Sequence, residues 1–155
     1  MSTRALHFLK QNRIPHEVVT YDHQEKGAEF AARTVGFPLA QTIKTLVVDV
    51  DGRNFILALM PGDRQLSLKK IAAACNTKRA AMAEIADAER LTGYLVGGIS
   101  PFGTQKPLKV IMEATLKTHS EVMINAGRRG TMIKMKPGDI IETLKVRLAD
   151  ITDGS

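Results

Sequence analysis

Apolar residues in this chain fall into short, regularly spaced groups separated by glycine, proline and polar turns. Leu6 and Leu9, with Phe8 nearby, share one side of a helix predicted over about residues 3–12, and Pro15 follows it. Residues 16–21 read as a strand. Residues 29–35 read as a helix, with Gly36 as its stop and Pro38 beyond. The clearest element is a hairpin. Residues 43–50 and 54–60 are apolar runs, and Asp51-Gly52 between them suits a two-residue type I′ turn, which needs positive φ. Ser67 is placed as the N-cap of a helix carrying Leu68, Ile71, Ala72 and Cys75 and ending at Asn76. Asp87 is expected to cap another short helix. Short strands follow near 94–96, 109–112, 121–125 and 131–135, and a last helix starts near Pro137. Strands and helices mix without a regular βαβ rhythm. The expected fold class is α+β, a mixed, barrel-like β-sheet flanked by helices, in one domain over residues 1–155.

Composition narrows the function. No run of about 18 apolar residues occurs, so no membrane span is expected. The first residues lack the apolar stretch of a secretory signal, and a cytoplasmic location is the expectation. The single cysteine, Cys75, excludes an internal disulfide framework, and its helical spacing from Leu68 and Ile71 makes it a core residue. The net charge of +6 is spread out, with 13 Lys+Arg against 10 Asp+Glu in residues 1–100 and 9 against 6 in the rest. Such an excess suits an anionic partner such as RNA, and equally an ordinary basic surface. With no tryptophan, two tyrosines and five phenylalanines, the chain is poor in stacking platforms for single strands. His7, His16, His23 and His119 show no ligand-like pairing. Neither a Gly-x-Ser-x-Gly elbow nor a P-loop occurs. No metal and no organic cofactor are expected.

Three features carry candidate chemistry. The first is Gly93-Tyr94-Leu95-Val96-Gly97-Gly98-Ile99-Ser100-Pro101-Phe102-Gly103. A glycine pair costs backbone entropy, so it marks a bulge, a barrel corner or a close approach to a ligand or another backbone. The second is Lys44. Strand alternation puts it in a row with Leu46, Val48 and Val50, while Thr45 and Asp49 make the other face the more polar one. An ammonium in a core-facing row either snorkels to solvent at the strand end or opens on a wet cleft. The third is Asn125-Ala126-Gly127-Arg128-Arg129-Gly130, either a surface turn with solvated arginines or a loop whose amides and guanidinium groups face an anion.

Together these features resemble the YbaK/EbsC family of aminoacyl-tRNA deacylases, related to the editing domain inserted in some prolyl-tRNA synthetases. Tyr21-Asp22-His23, Leu66-Ser67-Leu68-Lys69-Lys70 and Pro137-Gly138-Asp139-Ile140 also sit in the expected order, so the resemblance covers nearly the whole chain. It is nearest to the stand-alone Cys-tRNA(Pro) deacylase branch. A site that excludes by size rejects smaller ligands poorly, since a lost methylene is worth only about 1–3 kcal/mol. The resemblance therefore implies a second hydrolytic site that removes cysteine or alanine mistakenly attached to tRNA(Pro).

The resemblance implies residue roles. Lys44 matches the family's essential lysine, and Gly97 and Gly98 complete the expected catalytic set. Tyr21, Ile99, Ser100, Pro101, Asn125, Gly127, Arg128 and Arg129 are the expected substrate-binding residues. A cysteinyl substrate brings its own thiol nucleophile, which fits a chain with no obvious nucleophile. The implied partners are the acceptor end of tRNA(Pro) and, transiently, prolyl-tRNA synthetase. Alanyl-tRNA(Pro) deacylation, a broader deacylase activity and non-catalytic binding of tRNA or a synthetase are the alternatives. One departure stands out. Relatives often carry a Leu-Asp-Ile-Glu-like strand, where this chain has Met132 and Lys134 at the acidic positions.

Overall fold

The computed structural model describes residues 3–154. The elements run α1 (Arg4–Gln11), β1 (Glu17–Thr20), α2 (Ala28–Val35), β2 (Thr42–Val50), β3 (Asn54–Pro61), α3 (Leu68–Ala74), β4 (Ala80–Met82), α4 (Ile85–Thr92), β5 (Lys109–Glu113), β6 (Val122–Arg128), β7 (Thr131–Met135), α5 (Pro137–Leu144) and β8 (Arg147–Ala149). Local chemistry sets their ends. The Thr3 hydroxyl accepts from the Leu6 N–H at 3.1 Å, and the Ser67 hydroxyl accepts from the Lys70 N–H at 3.1 Å. Gly36 takes the left-handed conformation that ends α2, and Pro137 opens α5.

The strands form one mixed sheet in the order β1-β7-β6-β2-β3-β5-β8, with β4 as an additional partner of β2. Odd-numbered residues of the central hairpin, Ile43, Val47, Leu57 and Leu59, face the larger core, under α1, α4 and α5. Even-numbered residues, Val48, Val50, Ile56, Ala58 and Met60, pack on Ile71 of α3. A third patch lies toward the other end of that second face, where Ala31 of α2 meets Met123 and Met132.

β2 is the strand that matters most. Along one edge it pairs with β3 from Ile43 to Val50. Along the other edge it meets β6 only at Thr42 and Ile43, and β4 only from Val48 to Val50. Residues 44–46 have no ladder partner on that side, and at Val47 the carbonyl accepts from the Ala83 N–H at 3.0 Å, just beyond β4. The sheet forks there.

Several expectations change. The hairpin register pairs Val50 with Asn54, so the turn holds three residues, Asp51, Gly52 and Arg53, all at positive φ (57°, 73° and 66°). Asp87 lies inside the first turn of α4, and Glu84 is its N-cap. Residues 94–96 form a turn. Tyr94 is pulled inward, its ring buried in the larger core and its hydroxyl donating to the Phe102 carbonyl at 2.5 Å. The face of β2 with Thr45 and Asp49 is not the solvated one, because Ile43 and Val47 anchor the main core there. Cys75 caps α3, half-buried against Ile71's patch, and burial pushes its thiol pKa up.

Candidate active site

The fork in the sheet leaves a cavity of about 500 Å³. Its lining includes Lys44 and Leu46 from one face of β2 and Ile43, Thr45 and Val47 from the other. A strand with neighbours on both edges presents only one face to any cavity, so this double contribution follows from the missing ladder partner. The remaining walls come from Tyr21 and the start of α2, from the end of β4 and the start of α4, and from the glycine-rich loop at Val96, Gly97 and Ile99.

Lys44 occupies the gap between the α3 patch and the α2 patch on the second face. It is half-buried and opens on the cavity. Burial pushes its pKa below the ordinary lysine value, while Asp63 and Asp153 pull it back up. Beside it, the Thr45 hydroxyl oxygen is buried and has no hydrogen-bond partner. Tyr21 donates its backbone N–H to the Gly130 carbonyl at 2.9 Å, and burial raises its phenol pKa against a lowering contribution from the Gly130 backbone. Its ring lies 6.3 Å from that of Phe30.

The glycine-rich loop is tied down at several points. The Val96 N–H donates to the Glu89 carboxylate at 2.8 Å, and the Val96 carbonyl accepts from Arg129 Nη2 at 3.0 Å. The Gly97 carbonyl accepts from Asn125 Nδ2 at 3.3 Å, and the Gly98 N–H closes a turn onto Leu95 at 2.9 Å. Asn125 Oδ1 also accepts from the Gly127 and Arg128 N–H groups at 2.7 and 3.1 Å. One asparagine thus joins the two glycine loops. Gly97 sits at φ +96° under the Arg129 side chain, where any Cβ would overlap it. A Cβ on Gly98 would lie 2.7 Å from the Arg128 Cα, so glycine is required by close approach of two backbones.

The expected site residues therefore separate. Lys44, Tyr21, Gly97, Ile99 and Asn125 line one cavity. Gly98 is buried behind it under Arg128. Ser100 and Pro101 are buried and do not line the cavity; the Ser100 hydroxyl accepts from the Phe102 N–H at 3.3 Å and shapes the loop. Gly127 packs against the Tyr94 ring. Arg128 and Arg129 are exposed on the adjoining turn. Of the two departures from the acidic pattern, Met132 lines the cavity, whereas Lys134 lies 5.1 Å from the Phe37 ring centroid. Sequence reasoning did not find Thr45, Asp63 or Asp153, whose relation to Lys44 depends on the folded sheet.

The comparisons agree with this architecture. The family described as "Aminoacyl-tRNA editing domain" matches residues 22–143. The chain belongs to that family, a class of enzymes that deacylate aminoacyl-tRNA. It is 30% identical over 152 residues to EbsC of Enterococcus faecalis, named as a candidate Cys-tRNA(Pro)/Cys-tRNA(Cys) deacylase, with 97% of this chain and 93% of that one covered. It is 28% identical over 151 residues to the multifunctional Ser/Thr-tRNA deacylase ProXp-y of Escherichia coli K12, with coverage of 95% and 90%. A crystal structure described as a candidate trans-editing enzyme for prolyl tRNA synthetase superposes with a TM-score of 0.88 at 24% identity, over 99% of each chain, and shares the fold.

Proposed function

We propose that the cavity receives the aminoacyl ester of mischarged tRNA(Pro), that the amino acid is cysteine, and that the substrate's own thiol breaks the ester. The observation that carries this reading is the composition of the wall. Among the described residues the cavity lining contains no carboxylate, imidazole, serine or thiol; its polar side chains are Tyr21, Lys26, Lys44, Thr45 and Asn125. The Thr45 hydroxyl has no base bonded to it to activate it as a nucleophile. A reaction in this cavity draws its nucleophile from the substrate or from water.

In this reading the cysteinyl sulfur attacks its own carbonyl carbon. A C–S bond forms, the C–O bond to the terminal ribose breaks, and the thiol proton ends on the ribose oxygen. The products are uncharged tRNA and a cyclic cysteine thioester that water opens. The Lys44 ammonium stabilises charge developing on the carbonyl oxygen, and the Gly97 backbone gives the ester room to enter. Ala31, Ile43, Val47 and Met132 offer an apolar wall for a small, soft side chain. EbsC's named specificity supports cysteine. Residues 1–155 act as one editing domain, beside prolyl-tRNA synthetase, because so small a chain offers little surface for reading a whole tRNA.

A second reading has one observation behind it. The partnerless Thr45 hydroxyl is suited to a seryl or threonyl hydroxyl, the specificity that ProXp-y's name states. The test is amino-acid release from cysteinyl-, alanyl-, seryl- and prolyl-tRNA(Pro), with the native protein and Lys44→Ala. Release of cysteine alone, lost in the variant, is the expected result. Release of serine but not cysteine transfers the assignment to the second reading. Release of none, with tRNA still bound, overturns both in favour of a binding role.

A further inference from the structure

The mouth of the cavity is apolar on one side in a way that the ester chemistry does not use. Five large apolar side chains are exposed among the described residues; two of them line this cavity and a third is the chain neighbour of a lining residue. Met82, at the end of β4, is 48% exposed, and Ile85, opening α4, is 63% exposed; both line the cavity. Leu95, 73% exposed, adjoins the lining residue Val96. Single exposed apolar residues need no explanation, but a cluster at a cavity rim marks a contact surface. Cations adjoin it, because Arg129 bonds the Val96 carbonyl and Arg128 precedes it on the same turn.

We propose that Met82, Ile85 and Leu95 seat the base of the tRNA's terminal adenosine. This rests on the reading of the cavity as the ester site. An ester carbonyl beside Lys44 leaves its ribose at the mouth, with the base one sugar ring from the reacting bond. A base has two apolar faces and needs a flat apolar neighbour on at least one of them. The Met82–Ile85–Leu95 side supplies that neighbour in aliphatic form. The phosphodiester leading away from the ribose then runs toward Arg128 and Arg129. The adjacency of apolar rim and guanidinium groups favours a nucleotide over a protein helix, whose docking stripe would not call for cations beside it.

The test uses two stable amide analogues, 3′-cysteinylamino-3′-deoxyadenosine and the same amide on a base-free ribose. Their binding is measured by calorimetry to the native chain and to the triple variant Met82→Ser, Ile85→Ser, Leu95→Ser, whose melting temperature reports that it is folded. The adenosine analogue is expected to bind the native chain about tenfold more tightly, and the variant less than about twofold more tightly. Equal binding of the two analogues by the native chain overturns the proposal. So does a preference that survives in the triple variant, including one that disappears only in Tyr21→Ala and so seats the base on that ring. Hydrolysis of aminoacyl-tRNA by the native chain is measured separately, so failure of the ester reading is distinguishable from failure of this seat.

Discussion

Lys44 sits where two apolar patches fail to meet, half-buried, with Asp63 and Asp153 near enough to favour its charge. A group placed for function rather than stability has a recognisable signature: removing it costs activity and not fold. Lys44→Met is expected to lower kcat/KM by about a hundredfold or more, the scale of a lost electrostatic stabiliser, with no fall in melting temperature. Methionine keeps the aliphatic stem and carries no charge to desolvate. The pH dependence of stability has a definite sign. Burial holds the folded pKa of Lys44 below its ordinary 10.5, so between the two values the folded chain binds fewer protons than the unfolded one. Lys44 therefore makes stability rise with pH across that window, and denaturant titrations should show this contribution missing in Lys44→Met. An unchanged activity, or identical pH profiles, would remove Lys44 from this role. Strand alternation made Lys44 legible in the sequence. Its aspartates were not, since the Lys44–Met60 register and the chain's return near Asp153 lie outside any local pattern.

The fork in β2 is the feature of element scale on which the cavity depends. Most elements around it were legible, because each has a local cause: the Ser67 cap, the Gly36 stop, the β-branched runs of the hairpin. The missed strands, β4 and β8, have three residues each and pair only because longer neighbours offer an edge. Residues 94–96 looked like a strand, yet Tyr94 is taken by the core and its neighbours turn back through Gly98. The same packing makes Gly98 sensitive. In Gly98→Ala the new Cβ meets the Arg128 backbone rather than a movable side chain. The expected cost is about 1–3 kcal/mol of stability, with a larger fall in activity as the loop shifts away from Arg129. A melting temperature and rate equal to native would show that the two backbones are not in contact. Gly97 and Gly98 were singled out in the sequence as one pair, with a ligand, another backbone, a bulge or a barrel corner as the alternatives, and nothing local chose between them. The structure separates them: Gly98 lies against the Arg128 backbone, and Gly97 lies under the Arg129 side chain at the cavity wall.

At the scale of the whole molecule, three segments distant in sequence close around one cavity: Tyr21 with α2, the fork of β2 with β4 and α4, and the paired glycine loops joined by Asn125. Family membership was legible from the order of these motifs. The composition of the cavity wall was not, because which side chains line it is settled only by folding. Among the described residues that wall holds no carboxylate, imidazole, serine or thiol, and the proposed reading therefore centres on the substrate's thiol. The most direct test compares cysteinyl-tRNA(Pro) with S-methylcysteinyl-tRNA(Pro) under identical conditions. The account predicts rapid release of cysteine and, for the methylated substrate, a rate reduced by about a hundredfold or more, the scale of losing a participating nucleophile. Equal rates for the two would contradict it, and would assign the attack to water held in the cavity.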